Sequence, residues 1–188
     1  MRKVLYIFGI LSDADVAWMA QTGVRRRLGD GDVIIREGES TDFLIFMLEG
    51  ELLVTTRRLG QIARLAVGEV VGEISLVDSA PPSATITASG DGLALFLDKA
   101  KLMHKLDNDA GFGSRFYHAL AVFLADRLRE ARGSSAGNSA VSDETGISED
   151  ELDVGILDRV SAAGERFNRM LRTLSNNRIS NQESCPHL

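Results

Sequence analysis

Apolar positions along this chain follow two different periods. Ser12, followed three residues later by Asp15 and then by apolar residues, is typical of a capped helix start and predicts a helix over about 13–21. From Gly29 to Gly92, nine glycines separate short runs rich in Val, Ile, Leu, Phe and Thr, and this texture predicts a β domain. Its strands are expected near residues 33–36, 43–48, 52–56, 61–65, 84–88 and 93–97.

Two helices are predicted after the strands. Asp98 is placed to open the first, which extends to about Leu106, and the second covers 112–132. The second helix carries an apolar stripe with spacings of three and four residues: Phe112, Phe116, Leu120, Phe123, Leu124 and Leu128. Such a stripe packs against its own domain or forms the seam of a dimer. The two are compatible, and we expect a homodimer.

The composition changes after residue 132. Residues 133–150, rich in Ser, Gly, Asn and acidic residues, predict a flexible acidic linker. Residues 151–176 predict a detached amphipathic tail helix, and 177–188 a disordered tail. The helix stripe consists of Val160, Ala163, Phe167, Met170, Leu171 and Leu174, with most arginines displaced from it. We expect a protein partner to bind residues 159–174; docking on an anionic membrane surface or back on the β domain are open alternatives.

Composition and charge limit the function classes. The 188 residues are 44% apolar, which suits one core with a short appendage, and the net charge of −6 argues against DNA as a partner. The apolar run 4–11 imitates the start of a signal peptide, but acidic residues follow it directly, and no run has the length of a transmembrane segment. The single cysteine, Cys185, excludes an internal disulfide and a thiolate metal cluster. These features predict a cytoplasmic protein.

Several spaced glycines and one longer motif resemble a known family. The segment 31–38 (GDVIIREG), Gly50 after an apolar strand, and 68–73 (GEVVGE) resemble the cyclic nucleotide-binding domain family. The stretch 71–88, VGEISLVDSAPPSATITA, resembles the phosphate-binding cassette of that family. The resemblance covers about 12–131, so that residues 1–132 are expected to form one such domain. It implies a mainly β fold, an eight-stranded β-roll of jelly-roll type with flanking helices, which holds cyclic AMP or cyclic GMP.

The resemblance also implies the binding residues. Gly72 would turn the backbone toward the ligand, Glu73 would accept from a ribose hydroxyl, and a short helix would direct N–H groups at an anion. The implied cyclic nucleotide-binding set is Gly72, Glu73, Ile74, Ser75, Leu76, Ser83, Ala84 and Thr85. Arg127 lies on the helix that would cover the base.

Pro82 is the main departure from the family pattern. It occupies the position where the family has an arginine that pairs with the cyclic phosphate. Removing one partner of a buried ion pair costs about 3–5 kcal/mol, which corresponds to a loss of affinity of about a hundredfold to several thousandfold. Arg57, Arg58 and Arg64 lie on or between neighbouring strands, but surface exposure is the expected fate of each.

Other features have a purely structural interpretation beside the functional one. Gly38, Gly50 and Gly68 are expected to be ordinary turn glycines. For Ser83, Thr85 and Arg127, an ordinary strand or helix position is as good an interpretation as a ligand contact. Glu73 requires a donor, which is either a ligand hydroxyl or a helix N–H.

No catalytic or metal-binding residues are predicted. His104, His118 and His187 are scattered, without carboxylate or cysteine at ligand spacing, and no nucleophile or phosphate-loop motif occurs. We therefore do not expect an enzyme. The sequence favours a regulatory signal-transduction module that senses a cyclic nucleotide or related anion and relays it to a partner. The alternative is a ligand-free scaffold; a transcription regulator like the catabolite activator group is a third, for which no helix-turn-helix is evident.

Overall fold

The computed structural model describes residues 3–78, 80–136 and 163–170. Six strands and five helices occur in the first two ranges, and 163–170, called here the tail segment, is helical. In chain order the elements are α1 (Lys3–Ile10), α2 (Asp13–Thr22), β1 (Val24–Leu28), β2 (Val33–Ile35), β3 (Phe43–Thr56), β4 (Gly60–Leu65), β5 (Val70–Val71), α3 (Ile74–Val77), β6 (Thr85–Asp98), α4 (Lys99–Asn108) and α5 (Ala110–Ala136).

The six strands form one antiparallel sheet in the order β1-β6-β3-β4, with β2 paired to β6 and β5 paired to β3. The prediction of a mainly β fold with flanking helices is confirmed, whereas a count of eight strands is not. Predicted strands 43–48 and 52–56 are one continuous strand, β3, and 84–88 and 93–97 correspond to one strand, β6. Each continues through register shifts near Glu49 and Glu51, where Gly50 adopts a φ of +91° and lets the paired strands bend together.

Side chains of β3 alternate between two cores. Leu44, Phe46 and Leu48 pack with the helices, whereas Ile45 and Met47 pack inside the roll. This is the period-2 pattern expected of a strand that is buried on both faces. The roll therefore has an inner apolar core of its own and a second core beneath the helices.

The helix caps agree with the sequence pattern. The Ser12 hydroxyl accepts from the Asp15 N–H at 3.2 Å and the Asp15 carboxylate accepts from the Ser12 N–H at 2.7 Å, which completes a capping box on α2. The Asp98 carboxylate accepts from the Lys101 N–H at 2.9 Å and caps α4. Helix α1, which the sequence analysis did not predict, packs against α5.

Helix α5 is longer than predicted and most of its apolar stripe is internal. Phe112, Phe116, Leu120 and Phe123 are buried, whereas Leu128 is 53% exposed. The stripe therefore packs on its own domain, and dimerisation stays a prediction. The helix continues to Ala136, four residues into the predicted linker, and the remainder of that linker lies outside the described residues.

The tail segment packs back on the domain instead of standing detached. Ala163 and Met170 are buried in the core beneath the helices, and the Phe167 ring lies 5.7 Å from that of Phe8 in α1. Arg166 donates to the carboxylate of Asp13 at 2.7 Å and to two carbonyl groups at the end of α1. Of the three predicted docking places, the described residues show the third, on the chain's own domain. The other residues of the predicted helix 151–176 and the tail 177–188 lie outside the described part.

Of the helices in the described ranges, none combines the length and the apolar character needed to cross a lipid bilayer.

Candidate functional site

Gly72 connects β5 to α3 at the start of the cassette motif. Its φ is +85°, and a Cβ atom at this position would lie 2.6 Å from the carbonyl oxygen of Phe43. Both facts require glycine. The close approach that Gly72 permits is thus to the protein's own strand β3, whereas the sequence analysis assigned it to a ligand.

Glu73 is buried and bound by an arginine from another element. It is 2% exposed, and Arg127 of α5 donates to its carboxylate. The sequence predicts a ligand hydroxyl or a helix N–H as the donor, whereas the structure supplies a guanidinium from 54 residues further along the chain. The carboxylate does not cap α3.

The Arg127 guanidinium donates hydrogen bonds to three acceptors. Besides Glu73, it donates to the Glu69 carboxylate at 3.2 Å and to the Val70 carbonyl at 3.0 Å, and its guanidinium lies 4.6 Å from the centre of the Phe123 ring. We call Glu69, Glu73 and Arg127 the cassette ion cluster. It ties the cassette directly to α5.

Within this cluster, one guanidinium faces two buried carboxylates. Burial raises the pKa of Glu73 above its ordinary value, and the nearby Glu69 charge acts in the same direction, while Arg127 opposes both. A neutral donor such as a ribose hydroxyl would bind this carboxylate without adding charge to the cluster.

The residues of α3 are engaged within the turn and with α4. The Leu76 N–H donates to the Glu73 carbonyl at 3.1 Å, so it is not directed at an anion as the sequence analysis expected. Ile74 is 49% exposed. The Ser75 hydroxyl lies 3.3 Å from the Gly72 carbonyl, to which it donates.

Lys99, the first residue of α4, is a neighbour of the cassette that the sequence analysis missed. Its Nζ donates to Ser75 Oγ at 2.6 Å and to the Thr41 carbonyl at 2.8 Å. Burial lowers the pKa of Lys99, while the charges of Asp42 and Glu73 act against that shift. No local motif marks this lysine; only the end of β6 carries it to the cassette, 24 residues after Ser75.

The C-terminal part of the cassette is hydrogen-bonded to the turn after β2. The Pro82 carbonyl accepts from the Gly38 N–H at 2.8 Å, and Thr85 Oγ1 accepts from the Glu37 N–H at 3.0 Å. The Thr85 hydroxyl is therefore in structural use as an acceptor, although its own hydrogen can still be donated. Ser83 is exposed and Ala84 is half-buried just before β6.

The three arginines considered as substitutes for the cassette arginine lie at the surface. Arg57 donates to the Glu37 carbonyl at 3.3 Å, Arg64 pairs with Glu51 at 2.6 Å, and Arg58 is exposed. This is the placement that the sequence analysis expected for them.

A cavity of about 560 Å³ lies beside β1 and is lined by Arg25, Arg27, Glu49, Asp91 and their neighbours. None of its lining residues belongs to the cassette. Within the described ranges no group of three or more His, Cys, Asp or Glu side chains is placed to hold a metal ion. The candidate site is accordingly the cassette with its neighbours Arg127 and Lys99.

Part of the chain matches a known protein family. Residues 25–109 match the family model described as the cyclic nucleotide-binding domain. The chain is similar to a cAMP-dependent protein kinase regulatory subunit of Mycosarcoma maydis, with 29% identity over 143 residues, which are 70% of this chain and 26% of the relative. The chain spans about a quarter of the length of the curated relatives it matches.

Solved structures show the same fold. A cyclic nucleotide-binding domain from Methylobacillus flagellatus superposes with a TM-score of 0.65 at 22% identity, covering 75% of this chain and 85% of that one. The N-terminal domain of a transcriptional regulator from Streptomyces coelicolor superposes with a TM-score of 0.55 at 27% identity, covering 76% of this chain and 99% of that one.

Proposed function

We propose that the protein is a regulatory module that binds a cyclic nucleotide and relays its presence through α5, because residues 25–109 match the family model of the cyclic nucleotide-binding domain. The contact between Glu73 and Arg127 carries this proposal. It joins the residue that the family resemblance assigns to the ribose with the helix that leads to the C-terminal part of the chain. The ligand class is cyclic AMP or cyclic GMP, and we expect no catalysis.

The relay follows from competition for one carboxylate. A ribose hydroxyl donated to Glu73 would take over part of the hydrogen bonding that Arg127 provides, since a carboxylate has a limited number of acceptor positions. Arg127 would then depend more on Glu69 and the Val70 carbonyl. A ligand shifts the position of α5 only by its difference in affinity for the two arrangements.

The proposed site comprises Gly72, Glu73, Ser75 and the exit residues Ser83 to Thr85. In the described residues, α5 ends at Ala136, and the tail segment that follows packs on α1. A shift of α5 would therefore disturb a surface that the tail segment contacts, and so expose that segment to a protein partner.

Thermal unfolding with and without ligand tests the proposal. Cyclic AMP, cyclic GMP and cyclic dinucleotides are added separately up to millimolar concentration, and we expect the Tm to rise with the concentration of one mononucleotide. Binding to the native state alone stabilises by about 2.7 kcal/mol when the ligand is at a hundred times its Kd. Glu73→Gln should lose this rise, whereas Glu39→Gln, at an exposed position, should retain it. Unchanged melting with every ligand would refute the proposal.

A ligand-free scaffold is the second candidate, and two observations favour it. Pro82 offers no charge to a phosphate, and Glu73 already has an internal donor in Arg127. In this case the roll would serve to present the tail segment. Pro82→Arg would then create cyclic nucleotide binding that the parent protein lacks, and binding by the parent protein would rule the scaffold out.

A further inference from the structure

Lys99 is a partly buried cation with only neutral partners. Its two hydrogen-bond acceptors are the Ser75 hydroxyl and the Thr41 carbonyl. An ammonium group has three N–H donors, so one remains without a protein acceptor within the described residues.

Several other partly buried cations in the described part of the chain lie directly against a carboxylate. Arg127, Arg115 and Lys105 each lie within 3.2 Å of a carboxylate oxygen, whereas Lys99 makes no ion pair there. Taking a cation out of water without a counter-ion costs free energy. The charges of Asp42 and Glu73 act on Lys99 without direct contact, and Glu73 is committed to Arg127. An added anion is the partner that this lysine lacks.

The position of Lys99 fits a ligand of the cassette. The hydroxyl that it contacts belongs to Ser75, so the ammonium lies close to the backbone of the cassette. Its other acceptor, the Thr41 carbonyl, belongs to the residue whose methyl group lies beside Gly72. The ammonium therefore lies between the cassette turn and the start of β3. An anion bound to the cassette would be its neighbour there.

We propose that Lys99 is the cationic phosphate-binding residue of this cassette, with the Ser75 hydroxyl as its neighbour, in place of the arginine that Pro82 replaces. This inference rests on the proposed function. Lysine presents a compact charge without the two-pronged geometry of a guanidinium, so it recognises the charge of a phosphate more than its shape. The site is consequently expected to bind weakly and to depend on the phosphate charge of its ligand.

The test compares two probes across four proteins. Binding of cyclic AMP and of adenosine, which has the base and ribose but no phosphate, is measured by isothermal titration for the wild type, Lys99→Met, Lys99→Arg and Lys101→Met. Lys101 is the matched control because it is an exposed lysine two residues further on α4. Urea unfolding of each variant establishes that it is folded.

We expect Lys99→Met to weaken cyclic AMP binding about ten- to hundredfold, because a hydrogen bond to a charged group contributes roughly that much, while adenosine binding is unchanged. Lys99→Arg should bind cyclic AMP more tightly than Lys99→Met, and Lys101→Met should match the wild type. Equal cyclic AMP affinities for wild type and Lys99→Met, or equal losses for both probes, would overturn the role of Lys99 alone. If wild type binds no cyclic nucleotide, the proposed function fails and this inference falls with it.

Discussion

Among the arginine–carboxylate contacts of the described residues, two clusters of three residues each differ in burial. In the cassette ion cluster, the Glu73 side chain is 3% exposed. In the second, which we call the tail ion cluster, Arg166 and Arg169 both bind Asp13, whose side chain is 53% exposed. Exposed ion pairs contribute about 0–1 kcal/mol, whereas a buried charge that loses its partner costs several. The same chemistry therefore fixes α5 to the cassette and only guides the tail segment to its place.

The two clusters also respond to protons in opposite directions. Hydrogen bonds from Arg166 and then Arg169 lower the pKa of Asp13, whereas burial raises the pKa of Glu73. The stabilisation from Asp13 is present above its ordinary pKa and is lost as the pH falls through its lower folded value. The stabilisation linked to Glu73 is present below its ordinary pKa and is lost as the pH rises through its higher folded value.

The largest effect should come from Arg127→Met. This change keeps an apolar chain against Phe123 but leaves Glu69 and Glu73 buried without their shared guanidinium. We expect the free energy of unfolding in urea to fall by about 3–5 kcal/mol. Arg129→Met, on the same helix with an exposed side chain, is the control and should change it by less than about 0.5 kcal/mol. A loss below about 1 kcal/mol for Arg127→Met would mean that the cassette ion cluster is no stronger than the tail ion cluster.

Met170→Ala tests whether apolar burial, rather than charge, holds the tail segment. Met170 is 1% exposed, and truncation of a buried methionine costs about 2–5 kcal/mol. We expect the tail segment to leave the domain while the roll stays folded. Limited proteolysis should then cut the C-terminal region faster, with the melting of the roll little changed. Asn168→Ala, exposed on the same segment, is the control; equal cleavage rates for both variants would show that packing does not hold the segment.

Gly72→Ala measures how tightly the cassette turn is fitted to β3. Alanine would adopt an unfavourable positive φ and place its Cβ 2.6 Å from the Phe43 carbonyl oxygen. We expect a loss of stability of about 1–3 kcal/mol or more. Gly60→Ala is the matched control, since Gly60 has a φ of +68° with open space around it and shares only the backbone penalty. Equal losses in urea unfolding would mean that the cassette relaxes away from β3 at no cost.

Asp13→Asn should have the smallest effect. Loss of an exposed pair is worth about 0.2–1 kcal/mol, and salt would weaken it further. A dye attached to the single cysteine, Cys185, would report release of the tail segment as a fall in fluorescence anisotropy. In the wild type we expect a small fall in anisotropy as the pH falls below the ordinary pKa of aspartate, and a flatter pH response in Asp13→Asn. An identical pH response in both proteins would show that another group controls docking.

Much of the fold could be predicted because its signals are local. The capping box of Ser12 and Asp15, the Asp98 cap and the alternation in β3 each need only a few adjacent residues. The bend within β3 was mistaken for a gap between two strands, since Gly50 reads as a turn. Helix α1 was missed because an apolar run without polar alternation gives no helical period.

The sequence motif marks the cassette residues of the candidate site, but it does not indicate their charged contacts. Pro82 could be recognised from the motif alone. The pairing of Glu73 with Arg127 spans 54 residues and that of Lys99 with Ser75 spans 24, and no local spacing indicates either contact. Both depend on how β6, α4 and α5 return to the cassette, which only the tertiary structure shows.

The contact of the tail segment with α1 also determines how late in synthesis the protein can complete its folding. Arg166 and the carbonyl of Phe8 are 158 residues apart in sequence. Translation proceeds at about 5–20 residues per second. The tail segment is therefore synthesised roughly 8–30 seconds after Phe8, and until then it cannot pack on the surface around Phe8. During that interval the nascent chain offers an uncovered aromatic surface to chaperones, and a premature stop before residue 163 would make that exposure permanent.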